Sequence, residues 1–378
     1  FGGFDRPSDS DQPIIGRLRP RSTDWHAGRI NMEKYAELVS APPTDNPPSV
    51  AVVGGGLAGA TCARILRDHG LEVDTFDKGR GPGGRMSTRR ADLDGERDFH
   101  FDHGAQYFTA RDERFRRFVD AWCDRGVADR WEGRFAVLEE GEVTFKEGDA
   151  ERFVGVPKMN AVVAHLAEGA GVQFGVRVGG VERRGGEWIL EGGDGEELGS
   201  WDALVMTPPA EQTAELLAGV DTPLREIVDR VSTQPTWAVM LGFDAELPVD
   251  FDAAFVHDSP LAWVARNSAK PGRPAAESWV LHSTHVWAEE HVERDFAQVA
   301  AELTDIFLSE IGLVDDHPTI LHRQAHRWRY AEAVPPMEEG ALYDAGRSLV
   351  VAGDWVNGSR IEGAFLSGCA AAGRVLVP

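Results

Sequence analysis

The chain has 378 residues, of which 42% are apolar and 27% charged, enough to build two domains around sizeable cores. Its 62 acidic residues against 39 Lys and Arg leave a formal charge of −23, which argues against nucleic acid as a partner, since that needs a basic face. No apolar run approaches the roughly 18 residues that span a membrane and no charged-then-apolar leader opens the chain, so a cytoplasmic protein with no membrane partner is expected.

Residues 1–48 lack a sustained apolar period and end in APPTDNPP, a spacer that cannot continue a helix or a central strand. They read as a mobile N-terminal extension. The next stretch, SVAVVGGGLAGATCARILRDHG from Ser49 to Gly70, reads as a buried strand, a tight turn and a helix. Gly54, Gly56 and Gly59 fit the pattern G-x-G-x-x-G, in which the glycines make the turn, admit a pyrophosphate to the backbone and pack helix on strand. The helix N-terminus, at Leu57 and Ala58, then faces the phosphates. A second strand, Leu71 to Phe76, ends at Asp77, where a ribose hydroxyl is normally accepted.

KGRGPGGRMSTRR follows from Lys78, interleaving glycines with Arg80, Arg85, Arg89 and Arg90. Glycines permit close backbone approach and arginines bind phosphate oxygens in fork geometry, so this segment is expected to fold back over the same pyrophosphate. A nicotinamide dehydrogenase does not need it, whereas a protein holding the longer FAD does. Phe101 to Phe115 starts with a strand-like piece and enters a helix near Asp112, with Gln106 and Tyr107 as candidates for a flavin-facing wall. Phe115, Phe118, Val119 and Trp122 recur at helical spacing and read as core.

Residues 131–154 alternate like a β-meander, and Val156 to Gly169 reads as a helix started by Pro157. Strands are expected over Val172 to Val181 (with Val178 near the cofactor), Glu187 to Leu190 and Asp202 to Met206. From 210 to 335 come helices near 211–219 and 222–231, strands at Trp237 to Phe243 and Trp279 to Ser283, and a helix from Val292 to Ile311. His322 and His326 stand four apart, the spacing of a metal pair on a helix, but no carboxylate completes a pattern and no metal is expected. The three cysteines, Cys62, Cys123 and Cys369, are far apart and read as buried thiols.

The last stretch, Ser348 to Arg374, reads as a strand ending at Gly353 and Asp354, a loop, and a small-residue helix from near Glu362 through Gly363 and Ala364. Asp354 stands where a polyol chain would be bound, and the helix aims its N-terminus at an anion. The expected fold class is α/β. A Rossmann-like FAD-binding domain, discontinuous in sequence over 49–100, 153–209 and 336–378, accompanies a second α+β substrate domain on a mixed sheet over 101–152 and 210–335.

GGRMS at 83–87, GAQYFTARD at 104–112, SPLAWVARNSAKP at 259–271, SWVLHST at 278–284, HRWRYA at 326–331, and GDW with EGAFLSG at 353–355 and 362–368 together resemble the renalase family, within the wider flavin amine oxidase group. The resemblance implies non-covalent FAD, held by Gly54, Gly56, Leu57, Ala58, Gly59, Asp77, Lys78, Arg85, Met86, Val178, Gly353, Asp354, Glu362, Gly363 and Ala364. It also implies oxidation of the 2- and 6-dihydro isomers of NAD(P)H to NAD(P)+, with O2 as acceptor and hydrogen peroxide as product. Gln106 and Tyr107 would form one wall for the nicotinamide, His282 and Trp328 another, and Arg266 and Asn267 would hold substrate phosphate or carboxamide. His282 has the alternative of a strand histidine bonded to backbone. Competing functions are an amine oxidase or desaturase of the same fold, and a flavin-binding sensor without turnover.

Overall fold

A computed structural model describes residues 35–40, 47–93, 97–146, 148 and 150–377. Its first sheet has the order Leu342–Asp344, Leu349–Val351, Ala203–Met206, Val50–Val53, Val73–Asp77, Val172–Phe174, parallel except for the first pair. Val50–Val53 is buried along its whole length because both faces of this sheet are covered. Val50 and Val52 pack with the helices Leu57–Asp68, Ala161–Ala170 and Ile361–Leu376. Ala51 and Val53 point the other way, onto Trp188, Leu190 and Trp201 of a three-stranded meander, Val178–Arg184, Glu187–Gly192 and Glu197–Trp201.

The small-residue composition of the first and last helices has a packing reason. A Cβ at Gly368 would lie 2.4 Å from the Ala58 carbonyl oxygen, so only glycine lets the two helices cross at this distance. That crossing fixes the glycine turn relative to the C-terminal loop.

The second sheet is mixed, with order Ile320–Ala333, Thr233–Phe243, Ser278–Ser283, Leu261–Arg266, Ala253–Val256, Phe135–Glu139, Glu142–Phe145. Ala253–Val256 and Phe135–Glu139 are its parallel pair. The helix Phe296–Glu310 covers one face through Val299, Leu303 and Phe307, against Trp237 and Trp279. The hairpin Arg89–Leu93 and Arg97–Phe101 covers the other, with Phe99 and Phe101 against Met240 and Val280. That hairpin leaves the glycine-arginine loop of the first sheet and ends on the second, so the cleft between the sheets is roofed by one continuous piece of chain.

Two expectations change. The N-terminal extension was expected to be mobile, yet Tyr35 is buried, donates its backbone N–H to Asp68 Oδ2 at 2.7 Å and accepts from Trp122 Nε1 at 3.1 Å. Residues 35–40 are therefore docked, burial of an aromatic ring contributing about 1.5–3 kcal/mol, while residues 1–34 and 41–46 lie outside the described residues. Residues 101–152 also divide between the sheets. The helix Glu113–Asp124 packs Phe115, Phe118 and Trp122 on Phe365 of the C-terminal helix, whereas Phe135–Phe145 joins the mixed sheet. No helix of the described residues is long and apolar enough to cross a membrane.

Candidate flavin and substrate site

The glycine turn shows three separate roles. Gly54 has φ +101°, and a Cβ there would lie 2.4 Å from Thr207 Oγ1. A Cβ at Gly59 would lie 1.9 Å from the Gly54 carbonyl oxygen, so the helix could not sit on the turn. Gly56 meets nothing within 4 Å and opens onto a cavity of about 1350 Å³, leaving backbone N–H groups accessible to a ligand. Asp77 accepts from Gly55 N and Gly79 N, both at 2.6 Å, clamping the turn to the next loop while also lining the cavity with Lys78. This cradle fits a pyrophosphate.

Across the cavity Arg85 forms a two-pronged ion pair with Asp354 and donates to the Ala331 carbonyl at 3.1 Å. Arg85 and Met86, with Val178, Gly353, Asp354, Ser359, Arg360, Ile361 and Ala364, line the space, so the C-terminal helix turns its N-terminus toward it. Glu362 and Gly363 do not. Glu362 accepts from Arg111 N at 2.6 Å and Asp112 N at 2.7 Å, and a Cβ at Gly363 would lie 1.8 Å from the Asn357 carbonyl oxygen. They hold the helix and the preceding loop in place and do not line the cavity.

The far wall comes from His103, Ala105 and the strand Ile320–Ala333. His103 stacks on Trp328 at 5.1 Å between ring centroids, and His326 meets Trp328 edge-on at 4.4 Å. Burial, with His326 and Arg89 nearby, pushes His103 down to about 3. Burial and Arg89 push His326 down to about 4, so both imidazoles are neutral at physiological pH. His103 is 4% exposed. Eight arginines and one lysine line the cavity against three carboxylates, although the whole chain carries −23.

The sequence-derived candidates are distributed unevenly around this wall. Trp328 lines the cavity and donates Nε1–H to the His103 carbonyl at 2.9 Å. His282 is not on this cavity's surface; its Nε2 lies 3.1 Å from the same carbonyl, and burial holds it well below the usual histidine range. The strand-histidine alternative is thus the one the geometry matches. Gln106 is also behind the wall, donating to the Asp102 and Gly104 carbonyls and accepting from Lys270 Nζ at 3.1 Å. Tyr107 packs against Trp263, ring centroids 5.5 Å apart.

Arg266 and Asn267 require correction as substrate ligands. The Arg266 guanidinium pairs with Glu246, lies 3.4 Å from Glu277 and donates to the Leu247 carbonyl at 2.9 Å. Asn267 donates to the His100 carbonyl at 2.8 Å and accepts from Asp102 N at 3.3 Å. Both are consumed by the fold. His322 and His326 lie on a strand, not a helix, and among the described residues no group of three His, Cys, Asp or Glu is placed to hold a metal.

Sequence reasoning missed His103, although it directly precedes the GAQYFTARD run, and it missed a buried ionic knot. Asp102 accepts from Arg273 Nη2 at 2.7 Å, Lys270 Nζ at 3.3 Å, Thr88 Oγ1 at 2.6 Å and Met159 N at 3.2 Å, with all three charged side chains fully buried. Asp102 and Lys270 are about 170 residues apart, so no local signal could join them. Gly104 completes the junction: a Cβ there would lie 2.0 Å from the Arg85 carbonyl oxygen.

Residues 52–122 match an NAD(P)-binding Rossmann-like domain, and residues 109–376 match the flavin containing amine oxidoreductase family. Renalase from Mus musculus is 23% identical over 309 residues, 77% of this chain and 86% of its own length. The tRNA 5-methylaminomethyl-2-thiouridine biosynthesis bifunctional protein MnmC of Caulobacter sp. (strain K31) is 30% identical over 62% of this chain and 42% of that protein. Cyclohexylamine oxidase from Brevibacterium oxydans IH-35A shares the fold with a TM-score of 0.67 at 10% identity, covering 88% of this chain and 99% of that one. With the family match spanning the mixed sheet, the C-terminal helix and the strand Ile320–Ala333 of the cavity wall, the chain belongs to the flavin containing amine oxidoreductases.

Proposed function

We propose that this protein is an oxidase holding FAD non-covalently and converting 2- or 6-dihydro isomers of NAD(P)H to NAD(P)+, with O2 as acceptor and hydrogen peroxide as product. The observation that carries this reading is the excess of cationic over anionic side chains lining the cavity. The two phosphates of FAD use part of that excess, and the remainder suits a second phosphorylated ligand while repelling a cationic amine. The similarity to renalase supports the same substrate class.

FAD, when bound, supplies a two-electron acceptor that O2 can reoxidise. The chain's own residues position and tune. Lys78, Asp77 and the glycine turn bind the cofactor's phosphate and ribose end, and the N-terminus of Ile361–Leu376 favours negative charge at the other. Trp328 and His103 offer a flat wall for a planar ring. A dihydropyridine expels its hydride with the ring-nitrogen lone pair, so no protein base is needed at the donating carbon. Neutral His103 and His326 also spare the cationic nicotinamide product from repulsion at short range. Measuring peroxide with each dihydro isomer against a panel of primary amines tests the proposal; turnover of amines with none of the dihydro isomers would replace it with amine oxidation.

A further inference from the structure

Among the described residues the cavity arginines Arg80, Arg90, Arg177, Arg89 and Arg360 have no ion pair; the first three are exposed and Arg360 stands near Glu332, which leaves Arg89 as the half-buried one beside the aromatic wall. Arg89 lies on the first strand of the hairpin, and its guanidinium donates to Gln324 Oε1 at 3.2 Å and lies 3.4 Å from His326 Nδ1, both neutral groups. Among the described residues no carboxylate pairs with it, whereas Arg85 has Asp354 and Arg327 and Arg329 share Glu293. Burial and the like charge of Arg80 both oppose its ionisation. A desolvated guanidinium without a counter-charge is costly, and an anion arriving with the ligand removes the cost.

A second observation points at the same wall. His103 lines the cavity and stacks on Trp328 at 5.1 Å between ring centroids, so the wall beside Arg89 is flat enough for a planar ring. The two are joined in space: Trp328 touches His326 at 4.4 Å between centroids, and His326 touches Arg89. From the flat indole wall to the guanidinium is one imidazole, about the reach of a ribose. This position is separate from the Gly54–Gly59 cradle, which takes the cofactor's own phosphates.

Resting on the oxidase reading above, we infer that Arg89 binds the 5′-phosphate of the nicotinamide nucleotide half of the substrate. The recognised unit is then a phosphorylated dihydronicotinamide riboside. The unphosphorylated riboside is then a poor ligand.

The test uses the FAD-loaded protein and the oxidised products as probes, read by calorimetry or by perturbation of flavin absorbance, so that binding is measured without turnover. Nicotinamide mononucleotide should bind wild type roughly 10- to 100-fold more tightly than nicotinamide riboside, the range of a charge-assisted hydrogen bond. Arg89→Gln should erase that gap and leave riboside affinity and FAD content unchanged, and Arg89→Lys should restore part of it. Equal binding of mononucleotide and riboside to wild type, equal weakening of both by Arg89→Gln, or loss of FAD from that variant would each overturn the inference. A wild type that prefers the mononucleotide yet is reduced by no dihydronicotinamide would refute the oxidase reading while leaving the phosphate site standing.

Discussion

Replacing Asp102 by Asn removes the anion from the fully buried knot and leaves Lys270 and Arg273 with neutral acceptors but no counter-charge. Burial alone would raise the Asp102 carboxyl, but Arg273 and Lys270 outweigh it and hold it well below the usual range. Lys270, pushed down to about 8 by burial, still keeps its proton at neutral pH. Breaking one partner of a buried pair costs about 3–5 kcal/mol. At the roughly 2–4 °C per kcal/mol of domains of 150–250 residues, Tm should fall by about 6 °C or more, measured by circular dichroism on FAD-loaded protein. Adding Lys270→Met to Asp102→Asn should recover part of the loss, since one stranded cation is gone. The linkage has a definite sign. A depressed carboxyl pKa contributes stability that is present above the unfolded value near 4 and is lost as pH falls through the folded one, so wild type and variant should converge in acid. A Tm change within about 2 °C at pH 7, or a double variant worse than the single, would refute this account of the knot.

Gly59→Ala should abolish FAD retention, because its Cβ would sit 1.9 Å from a backbone oxygen that cannot move without opening the turn; absorbance of the purified variant near 450 nm, a general flavin band, reads the outcome. His282→Ala should slow flavin reduction by about tenfold or less, through loosening of the His103 carbonyl, and keep FAD bound; a complete loss of reduction in stopped-flow would mean that a proton is moved there. With His103 at about 3 and His326 at about 4, the limiting rate of anaerobic reduction should be flat across the neutral range, and an inflection near the ordinary histidine value would show that one of them is charged in the complex.

The first sheet was legible because its signals are local. The apolar run Val50 to Val53, the glycine spacing and Asp77 lie within one short stretch, and the neighbour distances at Gly54 and Gly59 state why those glycines are required. The cofactor side of the cavity followed from that stretch, while the opposite wall did not. His282 lies against the His103 carbonyl, Gln106 accepts from Lys270 and Tyr107 packs on Trp263, and sequence does not reveal which side of a segment faces a cleft. Arg266 looked like a ligand for anions until the fold supplied Glu246 and Glu277, and Arg89 looked like one more loop arginine, yet among the described residues no carboxylate pairs with it beside the His326–Trp328 wall. Lys270, Asp102 and Arg273 meet only when the two sheets close on each other.

The central claim concerns what reduces the flavin. Purified protein should be mixed without oxygen with the 2-, 4- and 6-dihydro isomers of NADH and NADPH and with a primary amine, following flavin absorbance in a stopped-flow instrument. Bleaching by one equivalent of a 2- or 6-dihydro isomer, with release of NAD(P)+ and recovery of colour and peroxide on admitting air, is the predicted result. Bleaching by the amine alone, or colour that persists with every dihydronicotinamide, would contradict it.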